Sequence, residues 1–168
     1  DKIIHSTLDD YLAEVRKIRT KLTVQQGELR EGGVGVLTGT ASTRPDLKQA
    51  NWASSYLLTR WVEPVNVWTW YLGLGYYRYD YIDYLWKMLI KCQAHDTICG
   101  CHIDSVFHHA LDRFNRIQEA GNKILTADLM NLCYHLDLPA GTYSSVTVFN
   151  PAPHARRSTA ASAPARRR

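Results

Sequence analysis

No stretch of this sequence stays apolar long enough to cross a membrane. Each hydrophobic run is broken by Thr, Arg or Asp well short of the roughly 18 residues that a spanning helix needs. No secretory leader is expected, because Asp1-Lys2-Ile3 opens the chain with no apolar run behind it. With no initiator Met either, the expectation is a piece excised from a longer protein. Four cysteines (Cys92, Cys99, Cys101 and Cys133) in 168 residues are too few for a disulfide scaffold, so the expected compartment is the reducing cytoplasm. Core-forming residues are not scarce. Hydrophobic residues make up 45% and charged residues 21%, which excludes disorder of the whole chain, and five Trp, ten Tyr and three Phe can fill a core.

Acidic residues are absent from 152–168, where five Arg stand among Ala, Ser and Pro. Residues 1–151 then hold 15 basic against 16 acidic side chains, so the formal net charge of +4 belongs to that tail. Such a composition cannot bury a core and is expected to be a disordered Arg/Ala-rich end. A non-enzymatic helical module whose basic tail binds nucleic acid is the alternative from another functional class. Nucleic acid is not the expected partner.

The apolar spacing predicts a mainly α protein. Ser6–Leu22 reads as a helix on Leu8, Tyr11, Leu12, Val15, Ile18 and Leu22, capped by Ser6 or Thr7. A glycine-rich connector follows, with a possible short strand at Val34, Val36 and Leu37. The next helix starts at Thr43-Arg44-Pro45 and carries a seam of Leu47, Ala50, Ser54, Leu57, Trp61, Val65, Trp68 and Leu72, which Pro64 should kink or divide. A third helix runs from Asp80 to about Gln93 on Ile82, Leu85, Leu89 and Cys92. Asp104 is expected to cap a fourth, with Phe107, Leu111, Phe114, Gln118, Gly121 and Leu125 on one stripe, continuing to about Leu138. Residues 46–138 should form a three-helix bundle that buries Trp61, Trp68, Leu85, Leu89, Phe107, Leu111 and Phe114. Beyond Pro139-Ala-Gly141, Tyr143–Phe149 alternates as a strand, the expected start of a β domain.

Chemistry concentrates in Gln93-Ala-His95-Asp96-Thr-Ile-Cys99-Gly-Cys101-His102-Ile-Asp104, where one helix ends and the next begins. An adjacent His-Asp pair can place an imidazole on a metal while the carboxylate accepts hydrogen bonds from a polar substrate. The same pair can be a helix cap or a solvated face. A structural zinc site from His95, Cys99, Cys101 and His102 lacks a C-x-x-C pair, and packed, inert thiols at Cys92, Cys99 and Cys101 are the better expectation. A Cys-His nucleophile is weaker still, because nothing in the sequence orients one.

Several blocks together resemble glycoside hydrolase family 38, the retaining α-mannosidases. They are Gly27-Glu28-Leu29-Arg30, Leu37-Thr-Gly39, Ser42-Thr43-Arg44-Pro45 with Lys48-Gln49-Ala50-Asn51, the Gln93–Cys101 loop with Ile103-Asp104, and Val148-Phe149-Asn150-Pro151. They occur in that family's order over about residues 6–151. The Cys99-Gly100-Cys101 form resembles bacterial members, mannosylglycerate hydrolase-like ones among them.

The resemblance implies a division into the end of a catalytic α/β domain (1–40), the helical middle domain (41–138), the first strand of a C-terminal β domain (139–151) and the tail (152–168). It implies that His95 is a ligand of a divalent metal, zinc in most members, and that Asp96 hydrogen-bonds the hydroxyls of an α-mannoside. The nucleophile, the acid/base carboxylate and the other metal ligands would belong to the remainder of the polypeptide, which is the expected partner of this chain. A retaining glycosidase needs two carboxyl groups about 5 Å apart. One His and one Asp do not supply that set, so the isolated chain is expected to be inactive.

Overall fold

The computed structural model describes residues 3–24, 26–27 and 38–157. The chain divides into two compact units, Asp1–Thr38 and Gly39–Arg168. In the first, helix α1 spans Leu8–Lys17, and a 3-10 turn follows at Arg19–Lys21. Its start is fixed by a capping box: Thr7 Oγ1 accepts from the Asp10 amide at 3.3 Å, while the Asp10 carboxylate accepts from the Thr7 amide at 3.4 Å. α1 buries none of its residues. The possible strand at residues 34–37 lies outside the described residues.

The second unit is a three-helix bundle. Its first bar comprises α2 (Pro45–Leu57), a π turn at Leu58–Val62 and α3 (Glu63–Tyr71). α4 (Tyr79–Cys92) and α6 (Asp104–Tyr134) complete the bundle, and a four-residue helix, α5 (His95–Ile98), lies between them. Pro45 opens α2 as a first-turn residue, where its missing N–H costs nothing. The amphipathic seam of α4 is read correctly from its spacing, since Ile82, Leu85, Leu89 and Cys92 are all buried. α6 meets the first bar at Gly121, where an added Cβ would lie 3.0 Å from Leu57 Cδ2.

Pro64 is accommodated by the π turn that precedes it, in which the Glu63 amide bonds Leu58 O. The wider turn accommodates a proline that would otherwise clash with the carbonyl four residues earlier. The residues facing the core are Ser54, Leu58, Val62, Val65, Asn66 and Thr69; Ser54 and Val65 agree with the expected seam, whereas Leu58, Val62 and Thr69 take the places expected of Leu57, Trp61 and Trp68. Trp68 is therefore 41% exposed and Trp61 only half-buried, against the expectation that both are core. Phe107 and Leu111 are likewise half-buried, because the inner face of α6 is Ala110, Phe114, Ile117, Gly121, Ile124, Asp128 and Leu132. Phe114, Leu85 and Leu89 are core, as expected.

A polar cluster is set into this core. Asn66 Nδ2 donates to Asp128 Oδ2 at 2.8 Å, Asn66 Oδ1 accepts from the Arg78 amide at 3.0 Å, and the Arg78 guanidinium pairs with Asp128. Burial pulls the Arg78 pKa down, but the hydrogen bond and charge of Asp128 outweigh it and leave the group above its ordinary value. No buried side-chain nitrogen or oxygen among the described residues lacks a hydrogen-bond partner.

The expected strand at 143–149 does not form: the described residues contain no strand, and this segment has no regular structure. Alternation alone cannot hold a strand without a neighbour to complete its ladder. The expected tail is described only to Arg157. No helix among the described residues is long and apolar enough to cross a membrane.

Candidate functional site

The turn between α4 and α6 starts where α4 ends at Cys92 and carries the His-Asp pair on the one-turn helix α5. Ala94 has extended backbone and accepts from the amides of Thr97 and Ile98, both at 2.9 Å. The turn therefore starts with both His95 and Asp96 in its first two positions. Their side chains are 82% and 76% exposed, with His95 Nε2 3.3 Å from Asp96 Oδ1. Both groups face outward and are available to a ligand.

The remainder of the turn is braced. His102 Nε2 lies 3.0 Å from Thr97 O and its Nδ1 3.2 Å from Ile103 O. Cys101 Sγ contacts Asp96 at the carbonyl (3.6 Å) and at the carboxylate (3.8 Å). Gly100 takes a left-handed φ of +79°, and its missing Cβ leaves room for Thr43 Cγ2, which would sit 3.0 Å away.

Two expectations about neighbouring residues are corrected. Asp104 is not the cap of α6. Ile103 holds the cap position, and the Asp104 carboxylate turns to Arg44 Nη2 at 2.8 Å, a charged donor stronger than a backbone amide. That pairing holds the Asp104 carboxyl below its ordinary value of 3.8. The thiols also differ among themselves. Cys92 is buried and pushed up by burial, Cys99 is half-buried, and Cys101 is exposed rather than packed.

Arg44 is the residue that spacing arguments pass over. It stands above in a helix-start motif and in one of the resemblance blocks, with no role of its own, yet it reaches across to the turn 56 to 60 residues later. The signal available in the sequence was its place just before Pro45, at the cap of α2.

Among the described residues no group of three or more His, Cys, Asp or Glu side chains could hold a metal ion. His95 is thus a single outward imidazole, which the described residues do not gather into a ligand set. An apolar groove of about 440 Å³ beside the bundle helices is lined by Trp52, Tyr56, Leu57, Trp61 and Leu125. Neither His95 nor Asp96 lines it.

Comparison with known proteins agrees with this architecture. Residues 36–132 match the alpha mannosidase middle domain family. A relative from Halalkalibacterium halodurans, described as a putative mannosylglycerate hydrolase, is 37% identical over 128 residues, which cover 74% of this chain and 14% of that protein. Two solved structures from Enterococcus faecalis are each 31% identical. One is a protein in glycosyl hydrolase family 38 (TM-score 0.55, covering 77% of this chain and 14% of that one), and the other is an alpha-mannosidase (TM-score 0.61, 82% and 16%). The chain therefore spans about a seventh of the length of the relatives it matches. With more than half of its residues inside the matched domain, the chain belongs to the alpha-mannosidase middle domain family, within glycoside hydrolase family 38.

Proposed function

We propose that this chain is the helical part of a metal-dependent, retaining α-mannosidase-type glycosidase, to whose active site it contributes His95 as a metal ligand and Asp96 as a sugar-binding carboxylate. The observation that carries the reading is the outward pair itself: two adjacent polar side chains, each more than three-quarters exposed, on a turn whose other polar groups are committed to holding its shape. The donor chemistry fits. A neutral imidazole is a good ligand for zinc, and an exposed carboxylate can accept hydrogen bonds from vicinal sugar hydroxyls.

In this scheme His95 presents a ring nitrogen to a divalent cation, zinc by donor type, and Asp96 orients the sugar. A bound cation of this kind would supply Lewis-acid binding of sugar hydroxyls. The chain itself binds and orients, while the two carboxyl groups that break the glycosidic bond come from the remainder of the polypeptide. The substrate class is α-mannosides, including mannosyl groups on small acids of the kind named for the Halalkalibacterium relative.

The test is made on the enzyme that carries this chain. His95→Ala is expected to lower metal content and turnover together, with the helical domain still folded by far-UV circular dichroism. Asp96→Asn should leave metal content unchanged and raise KM for an activated α-mannoside. If the pair only caps α5, each change should cost about 1 kcal/mol of stability and leave turnover per folded molecule intact. A His95→Ala enzyme with full metal and full activity overturns the reading.

A further inference from the structure

We infer that Arg44 is the positioning residue for the His95–Asp96 turn, an inference that rests on the reading of that pair given above. Both ends of the turn are tied to the same helix. At the start, Gln93 Nε2 donates to Asn51 Oδ1 at 3.1 Å and to Ser55 Oγ at 3.3 Å, both on α2. At the far end Arg44, just ahead of α2, donates through Nε to Gly100 O at 3.4 Å and through Nη2 to His102 O at 3.0 Å and Asp104 Oδ1 at 2.8 Å. Its guanidinium also lies 4.6 Å from the centre of the Phe107 ring, at the start of α6.

The backbone geometry points the same way. Arg44 has φ +48°, the one positive φ at a non-glycine residue among those described. Glycine would relieve the strain and would at the same time remove the guanidinium. Gly100 lets the turn approach closely: a Cβ there would be 3.4 Å from both Arg44 Cγ and Cδ.

The contacts form an unbroken path to the site. Arg44 fixes the carbonyls of residues 100 and 102, the His102 ring reaches Thr97 O, and Cys101 Sγ reaches Asp96 O. Asp96 O is thus contacted by Cys101, which lies between the two residues whose carbonyls Arg44 holds, and the next carbonyl along, Thr97 O, is reached by His102, one of those two. Arg44 touches no ligand and acts through the turn. A lysine cannot reproduce it, because a single ammonium cannot address two carbonyls and a carboxylate from one planar fork.

The test uses Arg44→Met, Arg44→Lys and Gly100→Ala, the last displacing the turn from its own side if Arg44→Met folds poorly. In the 168-residue chain, hydrogen exchange is followed at the amides of Thr97, Ile98, Cys99 and Gly100 against those of α4 and α6. Arg44→Met and Gly100→Ala are expected to speed exchange in the turn at least tenfold with the helix amides unchanged. In the enzyme carrying the chain, loss of such a supporting contact should lower metal affinity by about 10–100-fold and reduce kcat, with Arg44→Lys restoring only part. Unchanged turn exchange and metal affinity in a folded Arg44→Met protein, alongside metal loss in His95→Ala, overturns the role of Arg44 and leaves the reading of His95 standing. If His95→Ala keeps its metal, the reading of His95 fails, and accelerated turn exchange alone then supports the hold of Arg44 on the loop.

Discussion

The Asn66–Arg78–Asp128 cluster gives the bundle a measurable asymmetry. The Asp128 side chain is 1% exposed and that of Arg78 18%. Removing one member of a buried ion pair costs about 3–5 kcal/mol, because the other is left as an uncompensated charge. The two halves are not equivalent. After Asp128→Ala the Arg78 guanidinium can move toward water and still has the Tyr76 ring 5.1 Å away, so the cost should fall near the lower end, about 3 kcal/mol. After Arg78→Met the Asp128 carboxylate has no route to water and keeps only the Asn66 amide, so the cost should lie near about 5 kcal/mol. Urea unfolding of the chain, followed by tryptophan fluorescence, measures both costs. Equal deficits below about 1 kcal/mol would mean that the pair behaves like an exposed one and would refute this reasoning.

Two further outcomes follow from the groups around the site. An exposed-thiol reagent should modify Cys101 and Cys133 quickly and spare the buried Cys92 until the chain unfolds, and labelling of native Cys92 at the rate of Cys101 would contradict the packing. Because Arg44 lowers the Asp104 carboxyl in the folded state, its stabilisation is fully present above the ordinary value of 3.8 and is lost as pH falls through the lowered one. The turn should therefore stay anchored across the neutral range, and a carbon-13 titration of Asp104 with a midpoint at or above 3.8 would contradict it.

Local pattern made much of the fold legible. The spacing of Ile82, Leu85, Leu89 and Cys92 located α4, and Pro45 marked the start of α2, because each depends on neighbours three or four residues away. Pro64 signalled a disturbance without revealing its form, and the inward face was misplaced at Leu57, Trp61, Trp68 and Leu72 while Val65 was placed correctly. The strand expected at 143–149 is not formed in this chain, since period-two alternation describes a surface and the ladder needs a second strand. At the site, His95 and Asp96 are adjacent in sequence and were read together. Arg44 was not, because what it does depends on carbonyls more than 50 residues away. The buried cluster escaped for the same reason, with Asn66 and Asp128 separated by 62 positions.

The π turn at Leu58–Val62 is in effect a one-residue insertion absorbed without breaking the rod. Shortening it by one residue would restore an unbroken α-helical ladder and leave the faces on either side where they are. Asn66 would stay opposite Asp128, but Pro64 would lose the wide turn that accommodates its ring. Length at 58–62 and the proline at 64 are therefore one coupled trait. A relative whose first helix is a residue shorter here should carry a residue other than proline at the position of Pro64. Deleting one residue from 58–62 alone should destabilise the bundle, and a paired Pro64→Ala should recover the loss.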